Sequence, residues 1–104
     1  MPDQTTDGRP VLGLDADDTL WENEARFAAA ERRFCDLVAP WADHQYASSA
    51  LLAADRVAVA RYGYGVKGFV LSMIRTAVQL SDGAVSSVEI TEIMALGDEI
   101  LDAP

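Results

Sequence analysis

The sequence has 104 residues, enough for one domain, and half of them are hydrophobic, so the chain can bury a core. Acidic residues outnumber basic ones by 17 to 8, giving a formal net charge of −9. This charge argues against nucleic acid and anionic membrane surfaces, whose binders need a basic face. The single cysteine, Cys35, fits a reducing compartment. No apolar run approaches the roughly 20 residues of a membrane span, so we expect a soluble, cytoplasmic protein.

The N-terminal part is predicted to contain the only strand. Residues 1–10 are polar and aperiodic and predict a loose tail. The run VLGL at residues 11–14 is short and apolar and lies between Pro10 and an acidic turn, which favours a buried strand. Residues 11–22 would then form this strand and its turn. Because a lone strand has no partners for its backbone groups, we expect it to pair with another chain or with a sheet absent from this sequence.

Four helices are predicted after the strand. Apolar residues recur at helical spacing over residues 23–39, 45–62 and 67–81, and a fourth helix follows the capping-box residues Ser86 and Glu89. The connections are short, so successive helices should be antiparallel neighbours. The predicted fold class is therefore mainly α: one N-terminal strand followed by a four-helix bundle that occupies residues 23–104.

An acidic cluster follows the apolar run in VLGLDADDTLW, residues 11–21. Asp15 would lie at the carboxyl end of the predicted strand, the edge at which open α/β folds bind ligands. Asp15 and Asp17 are two apart, so a tight turn would aim both carboxylates at one cation, and oxygen ligands favour magnesium or calcium over zinc. The alternative is an acidic helix N-terminus, with Asp17 or Asp18 as the cap.

These residues resemble the first signature of the haloacid dehalogenase-like hydrolase superfamily, an apolar strand followed by D-x-D-x-T. Asp15, Asp17, Thr19 and Leu20 match it in register. The segment RYGYGVKGFVLSMIRTAVQLSDG, residues 61–83, is similar to the helical cap that a bacterial branch of the superfamily inserts after this signature. The resemblance implies the front part of an α/β hydrolase whose core sheet is missing.

The function that the resemblance implies is magnesium-dependent hydrolysis of a small phosphorylated metabolite. Asp15 would be the nucleophile that forms an aspartyl-phosphate, and Asp17 the general acid and base. The Asp15 carboxylate and the Asp17 backbone carbonyl would bind Mg²⁺. The dehalogenase branch generally lacks the second aspartate, so Asp17 favours a phosphatase.

Three further motifs of the superfamily are not found in this sequence. They are a phosphate-binding Ser or Thr, a Lys or Arg, and an acidic pair; Asp98 and Glu99 fall within a helical pattern and predict a solvated face instead. We therefore expect an incomplete chain with little or no activity. The alternative is a non-catalytic helical interaction module that forms a homodimer through an exposed strand edge or bare helix faces.

The remaining candidates are substrate-binding residues. Tyr64 and Lys67 lie in the glycine-rich segment 62–68, and in capped relatives a cap loop closes over the site and selects the substrate. Trp21 follows the signature and would line the entrance. The alternatives stay open: a plain helix–helix turn for the segment, and packing against the first helix for Trp21.

Overall fold

The computed structural model describes the backbone of residues 14–102 and the side chains of residues 24–102. This part of the chain forms four helices, which we number in chain order: α1 Leu14–Leu37, α2 His44–Tyr62, α3 Val66–Leu80 and α4 Ser87–Leu101. They correspond to the four predicted helical segments, although α1 begins earlier than the predicted residue 23. No helix within residues 14–102 combines the length and apolar character needed to cross a membrane.

The predicted fold class is wrong, because the part of the chain that the structure describes contains no strand and no sheet. Leu14 and Asp15 belong to helix α1, whereas residues 11–13 of the predicted strand and the predicted tail lie outside the described residues. A helix satisfies its own backbone hydrogen bonds, whereas a single strand leaves its backbone groups unpaired. Acidic residues are also favoured at a helix N-terminus. The described fold is therefore all-α.

The four helices pack as a closed up-down bundle. Each successive pair is in contact, and α1 also packs against α4. The connections between helices are short, which makes neighbouring helices antiparallel. As a result, the start of α1, the α2–α3 connection and the end of α4 lie at one end of the bundle. We call this the open end, because side chains from all four helices surround a groove there.

The core runs along the bundle axis and takes side chains from every helix. The largest fully buried side chains include Phe34, Leu51, Met73, Ile93 and Leu96. Full burial of a side chain of this size stabilises the fold by about 1.5–3 kcal/mol. The thiol of Cys35 is part of the same core.

Local hydrogen bonds fix where the helices begin and end. The predicted capping box is confirmed: Ser86 Oγ accepts from the Glu89 amide at 3.2 Å, and the Ser86 amide donates to Glu89 Oε1 at 2.8 Å. Helix α2 begins after Asp43, whose carboxylate accepts from the Tyr46 amide at 2.8 Å. It ends at Gly63, which has a φ of +82°, a conformation that favours glycine.

Candidate functional site

A groove at the open end of the bundle is the candidate functional site. Its volume is about 980 Å³, at the upper end of the range for small-molecule sites. Helix α1 provides one wall, and the α2–α3 connection forms part of the rim. The apolar side chains in its lining include Phe27, Leu52, Val59, Val66, Phe69 and Ile100.

An aromatic pair joins α1 to α3 in the lining of this groove. The rings of Phe27 and Phe69 lie 5.0 Å apart between centroids at an interplanar angle of 75°. This edge-to-face geometry is worth about 0.5–1.5 kcal/mol beyond the area that the rings bury. Phe69 is buried and Phe27 is half-buried, so the pair gives the groove a fixed apolar surface.

Three carboxylates also line the groove: Glu24, Glu31 and Asp55. Two of them are half-buried and are oriented by serine hydroxyls. Ser48 Oγ donates to Glu31 Oε2, and Ser72 Oγ lies 3.2 Å from Asp55 Oδ1. Neither Glu31 nor Asp55 forms an ion pair with a basic side chain of residues 24–102. The groove therefore combines an apolar interior with two half-buried carboxylates that are not paired with a basic side chain of the described residues.

Of the predicted site residues whose side chains are described, one lines this groove and one does not. Tyr64 lines it, with 92% of its surface exposed. Lys67 is exposed in the first turn of α3 and is not part of the lining. Asp15, Asp17 and Trp21 are part of helix α1, but the structure describes side chains only from residue 24 onwards. Their predicted roles in catalysis, metal binding and substrate binding therefore stay predictions.

The described side chains, residues 24–102, contain no group of three or more His, Cys, Asp or Glu arranged to hold a metal ion. Asp98 and Glu99 lie within α4 and are exposed. Glu99 pairs with Arg33 of α1 at 2.6 Å. The predicted solvated helix face is thus confirmed for this acidic pair.

Apart from Tyr64, the residues that form the groove were not predicted as site residues. Glu24, Phe27, Ala28 and Glu31 occupy positions i, i+3, i+4 and i+7, a pattern that puts them on one face of a helix. The sequence offered one signal for this site: two acidic residues share a helix face with an aromatic residue, Phe27. The partners from α2 and α3 are distant in sequence, and periodicity carries no information about them.

Comparison of the sequence with protein-family models found no match, and comparison with curated proteins found none either. Residues 14–102 form a four-helix bundle with an open, acidic and apolar cleft at one end. The resemblance to the haloacid dehalogenase-like superfamily therefore remains a prediction, based on residues 11–21 and on the cap-like segment 61–83.

Proposed function

We propose that this chain carries the nucleophile segment and the substrate-selecting helical bundle of a haloacid dehalogenase-like phosphatase. The reaction is magnesium-dependent hydrolysis of a small phosphorylated metabolite in the cytoplasm. The observation that supports it is a juxtaposition: the D-A-D-D-T run at residues 15–19 belongs to the part of α1 nearest the open end, which holds the groove and Tyr64.

The length of α1 gives the scale of this juxtaposition. Seven positions separate Asp17 from Glu24, the groove residue closest to it in sequence among those described. At 1.5 Å per residue this spacing corresponds to about 10 Å along a helix. A phosphate ester whose phosphorus is bound near Asp17 would therefore reach the groove with a leaving group of modest length.

The proposed chemistry uses two carboxylates in two half-reactions. A carboxylate oxygen of Asp15 attacks phosphorus, the bond from phosphorus to the ester oxygen breaks, and protonated Asp17 gives its proton to the departing oxygen. Asp17, now ionised, takes a proton from water as the water oxygen attacks the phosphorus of the Asp15 phosphoryl group. The bond from Asp15 to phosphorus breaks, inorganic phosphate leaves, and both side chains return to their starting states.

Carboxylate and carbonyl oxygens are the ligands that Mg²⁺ prefers, so the donor set of Asp15 and Asp17 fits this ion. When bound, Mg²⁺ would offset the charge between the Asp15 carboxylate and the phosphate. We assign the superfamily's other motifs, including its phosphate-binding hydroxyl and basic residue, to no residue of this chain, and we therefore expect slow turnover.

The backbone of residues 15–17 is helical, which affects whether Asp15 and Asp17 can bind the same cation. Residues two positions apart in a helix do not face each other. Shared binding of one cation by Asp15 and Asp17 therefore requires the first turn of α1 to change conformation. We expect Mg²⁺ with beryllium fluoride, a phosphoryl mimic, to move the backbone amide resonances of residues 14–20 and to leave those of α3 in place.

The deciding experiment compares three isosteric variants with the unaltered chain, using p-nitrophenyl phosphate and Mg²⁺. Asp15→Asn should remove turnover, and Asp17→Asn should slow it by about 10²-fold or more. Asp18→Asn is the matched control and should retain the rate. If the unaltered chain shows no turnover, acetyl phosphate should still phosphorylate it at Asp15, as intact mass detects. The proposal would be contradicted if Asp15→Asn turned over substrate as fast as the unaltered chain. It would also be contradicted if the unaltered chain showed neither turnover nor phosphorylation.

A second candidate function, a dimerising interaction module, is favoured by one surface. Val57 of α2 and Leu71 of α3 line a common shallow cleft, and 60% and 40% of their surfaces are exposed. Apolar patches of this kind mark contact surfaces. Sedimentation equilibrium at rising protein concentration tests this candidate. A dimer that Leu71→Glu dissociates and that the distant Met94→Glu leaves intact would support it, whereas a monomer throughout would oppose it.

A further inference from the structure

We propose that the groove at the open end binds a small organic cation, an ammonium group on an apolar or aromatic body. Glu31 and Asp55 would hold the ammonium group, and the Phe27–Phe69 pair would contact the apolar body. This inference stands independently of phosphate-ester hydrolysis, because it uses only side chains of residues 24–102.

The shape and lining of the groove fit a small molecule with an apolar body. The groove is a concave site that all four helices line, and small-molecule sites are mostly apolar with a few placed polar groups. Phe27 of α1 and Phe69 of α3 are in edge-to-face contact and together form one aromatic part of its lining. Aromatic rings within about 6 Å of an ammonium group also attract it electrostatically, so the same surface favours a cationic ligand.

The charge of the groove lining determines which charge a ligand should carry. The lining contains three carboxylates and, among the residues described, no Lys, Arg or His. Ser48 and Ser72 each present a hydroxyl to one carboxylate, yet a carboxylate has about four lone-pair sites, so Glu31 and Asp55 keep acceptor capacity for an ammonium group. Both are half-buried, and partly buried charges are screened by salt less than exposed ones.

The same features disfavour other occupants. A second copy of this chain also carries a net charge of −9, so the acidic groove would repel it on average. An organic anion would bring a like charge next to three carboxylates. A small metal ion would need three or more converging ligands, and the described side chains provide no such group. An organic ammonium needs fewer polar partners and uses the apolar lining as well.

The test is a titration of the full chain with three probes that share a phenyl ring: 2-phenylethylammonium, 2-phenylethanol and 3-phenylpropionate. Backbone and methyl resonances identify the site, and we expect the ammonium to shift signals of Phe27, Leu52 and Phe69. Its Kd should be at least threefold lower than that of the alcohol, and the carboxylate should not bind. Mg²⁺ and phosphate are left out, and Asp15→Asn should bind the ammonium unchanged, which separates this result from the hydrolysis proposal.

Isosteric variants then test the named carboxylates. Asp55→Asn and Glu31→Gln should each weaken ammonium binding by about threefold, the effect expected for a partly exposed ion pair. Glu92→Gln, on the exposed face of α4, is the matched control and should leave the Kd unchanged. Thermal melting of each variant verifies that it is folded.

A variant that adds a positive charge to the groove provides a check that leaves the half-buried carboxylates Glu31 and Asp55 unchanged. Leu52 lines the groove and is 52% exposed, so Leu52→Arg places a cation in the site without disturbing the core. It should abolish ammonium binding and admit 3-phenylpropionate. Three outcomes would overturn the proposal: equal Kd values for ammonium and alcohol, no response to Asp55→Asn, or shifts confined to residues outside the groove. The proposal would also be overturned if a smaller diffusion coefficient of the protein showed that a second copy binds in the groove.

Discussion

Gly97 of α4 and Val70 of α3 are so close that no methyl group fits between them: a Cβ atom on Gly97 would overlap Cγ2 of Val70. The side chain of valine is stiff about χ1, so it cannot easily turn away. Overpacking costs about 1–3 kcal/mol, and alanine recovers roughly 1 kcal/mol of helix propensity. We expect Gly97→Ala to lower the free energy of unfolding by about 1 kcal/mol, as measured by urea denaturation.

A second glycine provides the control for this contact. A Cβ atom on Gly68 would lie 3.7 Å from the nearest atom, the carbonyl oxygen of Gly63, which is an ordinary contact. Gly68→Ala should therefore stabilise the protein by about 0.5–1 kcal/mol through helix propensity alone. Adding Val70→Ala to Gly97→Ala should recover part of the loss. A Gly97→Ala protein at least as stable as the unaltered one would contradict this account.

Two buried hydroxyls on α3 should respond to removal in opposite directions. Thr76 Oγ1 is buried and has no hydrogen-bond partner among the described residues, and an unsatisfied buried polar group costs about 1–3 kcal/mol. Thr76→Val preserves the shape and should raise the free energy of unfolding by about 1 kcal/mol. Ser72 Oγ, by contrast, lies 2.9 Å from the Gly68 carbonyl oxygen, so Ser72→Ala should lower stability by a similar amount. Equal signs for the two variants in denaturant titrations would rule out this difference.

The end of α3 has an aspartate in a conformation that glycine prefers. Asp82 has a φ of +53°, its amide donates to the carbonyl of Gln79 at 3.3 Å, and the amide of Gly83 donates to the carbonyl of Val78 at 2.9 Å. This pair of bonds is the Schellman motif, whose left-handed residue is usually glycine. Asp82→Gly should stabilise the fold by about 0.5 kcal/mol, since relief at positive φ exceeds the entropy that glycine adds to the unfolded chain.

The neighbouring glycine serves as the control for Asp82. Gly83 has a φ of +84° and open space around its Cα, so only backbone strain opposes a side chain there. Gly83→Ala should destabilise the protein by about 1 kcal/mol. Thermal unfolding of both variants decides the point. A Gly83→Ala protein with unchanged midpoint would show that the left-handed backbone at this position is not required.

The sequence was sufficient where the determinants of structure are local. Ser86 and Glu89 satisfy each other's backbone amides within four residues, and a pattern of this kind is readable from adjacent letters. Gly63 ends α2 for a reason that depends only on its own backbone. The same holds for the apolar stripes, whose period reports which face of each helix is buried.

Local sequence patterns did not determine the structure at two places, the predicted strand at residues 11–15 and the groove. A short apolar run is ambiguous between strand and helix, and only partners elsewhere decide between them; the described residues offer Asp15 no neighbouring strand. The groove depends on Glu31 meeting Ser48 and on Asp55 meeting Ser72, contacts across 17 positions in each case. Such contacts follow from bundle geometry, which periodicity leaves undetermined.

The thiol of Cys35 should make the stability of the fold depend on alkaline pH. Burial, and then the nearby carboxylates Glu31 and Asp36, raise the pKa of this thiol above its ordinary value. The thiol also lies 3.7 Å from the carbonyl oxygen of His44, to which it donates, and this contact favours the protonated form. The folded state therefore keeps a proton at a pH where the unfolded chain has already lost it.

The sign of the effect follows from that difference in bound protons. Stability from the protonated thiol is fully present below the pKa of the unfolded cysteine, about 8.5, and is lost as pH rises through the raised pKa of the folded state. Urea unfolding at pH 7 and at pH 10 should show a larger decrease for the unaltered chain than for Cys35→Ala, in which every other titrating group is retained. Equal decreases in the two proteins would mean that the thiol ionises alike in both states.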